Sequence, residues 1–282
     1  MTTTTGNVFR RDIWSKEITR AFEANLILAD KVSRFDADTA GAKTVTIPNL
    51  SNLSAVDKVS NTQVTLQAPT ETSIILPLDQ HKHTAFLIED LLKAQNNYNL
   101  MSEYTQKAGY ALRKAVDTSV ANLATGFSQS AGTYNTTINT AAVLSAVQTL
   151  DDADVPQDDR CWALKPHGVA DLRTISDYTR YDGTGNAGAA AYGTVGNGSM
   201  DRKKGLVGML YNAPVYMTTQ IAQTGNNISN MYFHKEAIAL GMQQNVRVQS
   251  DYRLDYLGYL TVADVMYGVV ERRDNAGVEL KN

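Results

Sequence analysis

The chain has 282 residues, 43% hydrophobic and 20% charged, with a formal net charge of −3 at pH 7. It is too apolar for a disordered polymer and too acidic to coat nucleic acid by displacing counterions. Its single cysteine excludes an internal disulfide framework. A chain of this length is expected to split its core into two lobes. No uninterrupted apolar window is long enough for a membrane span. The opening "MTTTTGNVFRRDIW" lacks the apolar block of a secretory signal, so synthesis and use in a cytoplasm are expected.

Residues 1–9 are threonine-rich and without apolar period, which predicts a mobile arm. From Arg10 to Phe35, apolar residues fall at Ile13, Trp14, Ile18, Phe22, Leu26 and Val32. That spacing predicts an amphipathic helix in need of a surface to cover. Between Ala40 and His83 the pattern changes to short extended runs, "KTVTI" and "QVTLQAPTETSIILPL", around the polar stretch "PNLSNLSAVDKVSN". This reads as a long hairpin-like ribbon whose arms reach roughly 50 Å. An isolated two-stranded ribbon is marginal in water. Its apolar side chains Val64, Leu66, Ile74, Ile75 and Leu76 have nothing nearby in sequence to cover them. Either the ribbon folds back on its own domain or another subunit covers it.

From Thr84 to Gly126, apolar or aromatic residues recur at steps of three and four, without proline. One long spine helix of roughly 60 Å is predicted, ending at Gly126. A helix from Thr140 to about Asp152 follows, with Val143, Leu144, Val147 and Leu150 inward. Next come the strand "RCWAL" and a helix opened by Pro166, with Val169, Leu172 and Ile175 on its apolar side. The glycine-rich stretch from Asp182 to Gly205 reads as a surface loop. "APVYMTT" and "SNMYFHK" read as short strands. The last segment reads as longer alternating strands, with a tight turn at Asn275 to Gly277 between the final two. This late sheet has no helix of its own and must pack on the spine helix. The α/β segment before it is then an insertion, and the fold class is α+β.

Few residues suggest chemistry. Cys161 lies in an apolar strand beside Trp162, a setting that favours an inert thiol. His167, six residues on, stands at a helix start where protonation is disfavoured. Together they give the alternative reading of a cysteine-dependent hydrolase only weak support. His81 and His83 share one side of an extended segment, but two imidazoles without a third ligand make a poor metal site. The glycines from Gly183 to Gly198 lack the strand, helix and fixed spacing of a phosphate cradle. Asp151 to Asp154 read as solvated carboxylates at a helix end. No catalytic, cofactor-binding or metal-binding residue is expected.

Several separate stretches resemble one family, the major capsid proteins of tailed double-stranded DNA bacteriophages with the Hong Kong ninety-seven-like fold. They are "IWSKEITRAFEANLILADKVSRFD", "DVPQDDRCWALKPHGVADL", "GLVGMLYNAPVYMTT", "FHKEAIAL" and "VMYGVVERRDNAGVEL". Their order and spacing carry the resemblance over nearly the whole chain. It implies an N-terminal arm and helix (1–35), an extended loop (36–83), and a peripheral domain with the spine helix (84–138). An axial domain (139–234) and the C-terminal strands of the peripheral domain (235–282) complete the expected order. It implies that the loop lies across a neighbouring copy. Val64, Leu66, Ile74 and Ile75 on the ribbon and Trp14 on the leading helix are then the candidate subunit-interface residues.

The implied function is a shell-forming virion protein, assembled as hexamers and pentamers in the host cytoplasm into an icosahedral head that encloses DNA without reading its sequence. The expected partners are copies of the chain, a separate scaffolding protein, a portal and possible decoration proteins, with no membrane and no cofactor. Lys58 and Lys82 lie where some family members form an isopeptide crosslink, but no partner asparagine or catalytic glutamate is identifiable, and no crosslink is expected. The runner-up reading is an encapsulin-type cellular nanocompartment that encloses enzymes.

Overall fold

The structure is a computed structural model that describes residues 27–50, 53–64, 66–90, 100–175 and 206–282. The N-terminal arm, most of the leading helix including Trp14, and the glycine-rich loop lie outside the described residues.

Two sheets and one helix between them organise the chain. The first sheet has four strands in the order β1 (Ser33–Arg34), β11 (Ile238–Arg253), β12 (Gly258–Glu271) and β4 (Gln80–Glu89). The second has seven. Its path runs β5 (Ser130–Gly132), β13 (Gly277–Lys281), β10 (Asn227–His234), β6 (Arg160–Leu164), β8 (Ala213–Met217) and β7 (Leu206–Leu210), with β9 (Gln223–Thr224) beside β10. The strands β2 (Thr44–Leu50) and β3 (Glu71–Pro77) pair only with each other and form the ribbon.

The helix α1 (Leu100–Asn122) is the spine. Ala108, Leu112, Val116 and Val120 recur every four residues and bury one stripe against Ala263, Val265 and Tyr267 of β12. Ser119 and Tyr267 share a hydroxyl–hydroxyl hydrogen bond of 2.8 Å across that contact. The same core takes in Cys161, Ala163, Met231 and Phe233 from the seven-stranded sheet. The two lobes therefore share one core, with α1 packed between their sheets. On the other face of the seven-stranded sheet lie α2 (Thr140–Asp152) and α3 (Pro166–Leu172), closing a second core around Trp162, Leu164, Tyr232 and Leu280. Trp162 stacks on its cross-strand partner Tyr232 with ring centroids 3.9 Å apart.

The strand and helix read from "RCWALKPHGVADL" stand where expected, β6 buried on both faces and α3 opened by Pro166. Asn139 caps α2 by accepting from the Ala142 amide. Arg160 explains the acidic turn before it. Its guanidinium, almost wholly buried, donates to Asp151 at 2.7 Å, to the Pro156 carbonyl at 2.8 Å, and to the Val155 carbonyl. Asp151 is thus paired, not merely solvated. The hydrogen bonds to Tyr232 and Asp151 outweigh burial and hold the Arg160 charge above its ordinary value.

Five expectations are corrected. Residues 84–89 belong to β4, hydrogen-bonded to β12 in antiparallel register, so the helix does not begin at Thr84. The described spine spans only about 35 Å. Residues 27–35 form a 3₁₀ turn (Leu28–Asp30) and the short strand β1, not a helix. Leu144 points outward, and α2 buries Ala142, Val143, Ala146 and Leu150 instead. The turn Asp274–Ala276 does not join a hairpin, because β12 and β13 lie in different sheets. Finally, β5 and β13, from segments assigned to the peripheral domain, pair within the seven-stranded sheet.

Candidate subunit interface

The ribbon has two unlike faces and an unsupported tip. At its root, Ile47 and Leu76 are buried together against Ala239, with Val45, Phe35, Leu78 and Val270 around them. Leu76 is 0% exposed, so at the root the first of the two alternatives holds and the chain's own body covers it. Ile74 shares that face and is half-buried. Ile75 points the opposite way and is exposed. Beyond Leu50 nothing among the described residues covers the ribbon. Leu53, Val56, Val59 and Val64 are all exposed, and Leu66 is 86% exposed. Single exposed apolar residues are ordinary, but a contiguous set of this kind marks a contact surface.

The tip is ordered by its own polar groups. Gln67 accepts from the Ser54 amide at 3.1 Å and donates back to its carbonyl. The Thr62 hydroxyl donates to the Val59 carbonyl at 2.8 Å. Lys58 donates to the Val59 and Thr62 carbonyls, which holds its amine inside the turn. The aliphatic side chains are left outward around an open hollow.

Of the five candidate interface residues, Val64, Leu66 and Ile75 are exposed, Ile74 belongs partly to the root, and Trp14 lies outside the described residues. Sequence reading missed a second apolar projection. The turn between β11 and β12 exposes Leu254, Tyr256 and Leu257. Leu257 has φ of 45°, a left-handed conformation that glycine or asparagine fills at lower cost. The turn is held by the Asp90 amide donating to the Leu257 carbonyl at 2.9 Å and by Tyr252 donating to the Asp90 carboxylate at 2.8 Å. The available signal was "RLDYLGY", large apolar residues where a turn usually places small polar ones.

Nothing assembles around the chemical candidates. Cys161 is buried, and desolvation pushes its thiol up to about 12. His167 bonds Asn282 through Nδ1 at 2.9 Å. We expect Cys161 to resist iodoacetamide in the native protein and to react fully in denaturant, read by intact mass; rapid native labelling would reopen the thiol question. His81 stands 3.4 Å from Asp264, whose carboxyl lies below its ordinary value chiefly because Arg247 bonds it at 2.9 and 3.1 Å. Among the described residues, no group of three or more histidines, cysteines or carboxylates is arranged to hold a metal ion. None of the described helices is long and apolar enough to cross a membrane.

This fold is similar to those of several solved structures. One from Mycobacterium phage Che8 matches with a TM-score of 0.79 at 23% identity, covering 98% of each chain. The capsid of cyanophage P-SCSP1u matches at 0.72 and 18% identity, covering 99% of this chain and 96% of that one. The capsid of Ralstonia phage GP4 matches at 0.72 and 12% identity, over 100% and 97%. These likenesses establish the fold. No curated protein matches the sequence. A family model described as phage capsid protein matches residues 27–279. With nine-tenths of its length inside that match, the chain belongs to the phage capsid protein family.

Proposed function

We propose that this major capsid protein closes an icosahedral phage head by laying the tip of each ribbon over a neighbouring copy, within hexamers and pentamers that enclose double-stranded DNA. The observation that carries the reading is the contrast along one ribbon. Ile47 and Leu76 at its root are dry, while Leu53, Val64 and Leu66 at its tip are wet. A neighbour that covers the tip removes that apolar surface from water, at about 25 cal/mol per Å². Each contact is modest, but closure makes every subunit multivalent, so the shell is more stable than any one contact. The turn carrying Leu254, Tyr256 and Leu257 supplies a second contact to a further copy. In this reading the four-stranded sheet with the spine is the peripheral lobe, and the seven-stranded sheet is the axial lobe. The head is the protein's final location, after assembly in the host cytoplasm with a separate scaffolding protein and a portal. The acidic balance suits a container that is filled, not a coat that condenses DNA by charge. The role is structural, and the family match favours a phage head over an enzyme-filled nanocompartment.

Deleting Leu50 to Ala68 tests the reading. The root contacts remain, so circular dichroism should report a folded, soluble subunit, while electron microscopy should show no closed shells. The pair Val64→Asp and Leu66→Asp should do the same with little change in Tm, because neither side chain supports the subunit's own core. Normal particles from both variants would remove the ribbon from its role.

A further inference from the structure

Three chain crossings between the two sheets are gathered at one joint. The spine helix ends in a 3₁₀ turn (Leu123–Gly126) and leads to β5; β10 leads through a short turn (Lys235–Ala237) to β11; β12 leads through Asp274–Ala276 to β13. Backbone bonds tie the last two, the Arg272 and Arg273 amides both donating to the Ala237 carbonyl at 2.7 and 3.1 Å. Packing is close there. A Cβ on Gly277 would sit 2.4 Å from the Phe127 ring. Any change in angle between the lobes has to bend this joint, since no other described segment leads from one sheet to the other on the β12 side.

Two carboxyl groups meet in it. Glu271 ends β12, and its Oε2 lies 3.2 Å from the position a Cβ on Gly126 would take, against the end of the spine helix. Its carboxyl lies within hydrogen-bond reach of that of Asp274. Asp274 in turn accepts from the Ser128 amide at 2.8 Å and from the Ser128 hydroxyl. The chain Glu271–Asp274–Ser128 therefore links the end of β12 to the segment that follows the spine. A hydrogen bond between two carboxyls requires that one of them keep its proton.

We propose that Glu271 and Asp274 share a single proton across this joint, and that the joint is a pH-sensitive hinge, closed while the proton is present and loosened when it leaves. The Glu271 hydroxyl donates to the ionised Asp274, which the two Ser128 donors hold in place. When the proton is lost to solvent, the donor disappears and two carboxylates face each other, so Glu271 swings off the end of the spine.

The surroundings leave this pair as the charge at the joint that changes near neutrality. Residues 122–129 of the spine end contain no titratable side chain. Arg272 and Arg273, next in sequence, are engaged with Glu236 at 3.8 and 3.4 Å. Arg272 also lies over the Phe35 ring. His234, at the start of the neighbouring turn, accepts from the Glu236 amide at 3.2 Å, and burial holds it below its ordinary value. Asp159 and Arg160 act on His234. Lys235 bonds through its amide to the Asp159 carbonyl at 3.2 Å. Burial first, then the Asp274 hydrogen bond and charge, push the Glu271 carboxyl up to about 7. For Asp274, burial works upward, but the Ser128 bonds and the Glu271 bond outweigh it and leave the carboxyl below its ordinary value. The folded state thus holds the Glu271 proton more tightly than the unfolded chain does. That contribution is complete below the ordinary glutamate range and is lost as pH rises through about 7.

Hydrogen-exchange mass spectrometry of the purified protein between pH 5.5 and 8.5, corrected for intrinsic exchange rates, tests the hinge. Peptides covering 123–130 and 271–277 should lose protection as pH rises, while the core strands β6 and β10 hold theirs. Glu271→Gln keeps a donor but cannot titrate, so its joint peptides should stay protected across the range. Asp274→Asn removes the charge that retains the proton and should move the loss of protection to lower pH. The proposal is overturned if wild type and Glu271→Gln respond alike, or if Asp274→Asn leaves the midpoint unmoved. Because it concerns the subunit alone, its failure would leave the shell-forming role intact.

Discussion

Gly268→Ala is expected to detach the root of the ribbon and abolish shell formation. Gly268 of β12 and Gly241 of β11 face each other in register and form a flat seat on the four-stranded sheet. The chain at Pro77 and Leu78 lies directly on it. A Cβ on Gly268 would sit 1.9 Å from the Pro77 carbonyl oxygen, 2.9 Å from its carbon and 3.2 Å from the Leu78 Cα. All three are backbone atoms, so no rotamer change relieves the overlap. Either β12 shifts within its sheet or the strand from β3 to β4 rises. If it rises, Leu76 leaves the pocket it shares with Ile47 and Ala239. Overpacking of this kind costs about 3 kcal/mol, which corresponds to roughly 6–12 °C in Tm for a chain of this size. Differential scanning calorimetry should report that loss, and electron microscopy should show that the remaining folded protein does not close shells. Unchanged Tm with normal particles would show that the ribbon is not seated on these glycines.

Asp117→Ala is expected to be the most destabilising single change in the spine. Asp117 is 1% exposed, yet it is a carboxylate. Its oxygens accept from three consecutive backbone amides, Ile27 at 2.7 Å, Leu28 at 3.3 Å and Ala29 at 3.0 Å. Burial nevertheless outweighs those bonds and raises its carboxyl above the ordinary value. Alanine would leave two buried N–H groups and one part-buried N–H unpaired, at a cost of roughly 3–5 kcal/mol. Ile27, Leu28 and Val32, all part of the shared core, would lose their anchor. Thermal unfolding should show a fall in Tm of more than about 6 °C, with hydrogen exchange rising over residues 27–35 first. Asp117→Asn keeps the volume and one oxygen but turns an NH₂ group toward the amides, so it should fall between wild type and alanine. Equal stability of all three proteins would mean that water replaces the carboxylate.

The elements read correctly were those whose environment is uniform along their length. β6 is buried on both faces, so "CWAL" after Arg160 is an uninterrupted apolar run, and Pro166 marks the next helix at its first turn. The ribbon was legible because its apolar residues alternate between proline-marked ends. β4 was not. Leu87 and Leu91 continue the three-and-four spacing of the spine, and β12, which makes residues 84–89 a strand, lies far along the chain. Short apolar runs do not separate helix from strand by period alone. The ownership of β13 was equally hidden. "GVEL" has a strand's alternation, but only tertiary pairing with β5 and β10 decides which sheet receives it. On the ribbon, asking what could cover the apolar side chains singled out Val64, Leu66 and Ile75, which are exposed on the subunit. The cover of Leu76 was not legible because Ala239 and Val270 belong to strands made much later in the chain. Leu254, Tyr256 and Leu257 escaped because alternation hides a turn filled with large residues.

The late position of those strands bears on how a translating ribosome handles this polypeptide. β5 emerges early but has β13 as its partner, and β4 must wait for β12. The glycine seat at 241 and 268 is also made long after the ribbon it carries. A nascent chain therefore exposes unfinished sheets until β12 and β13 have been made, a state in which aggregation competes with folding. Until then it also lacks the platform on which the ribbon is mounted. The interleaved strand order delivers the projecting part well before the surface that carries it.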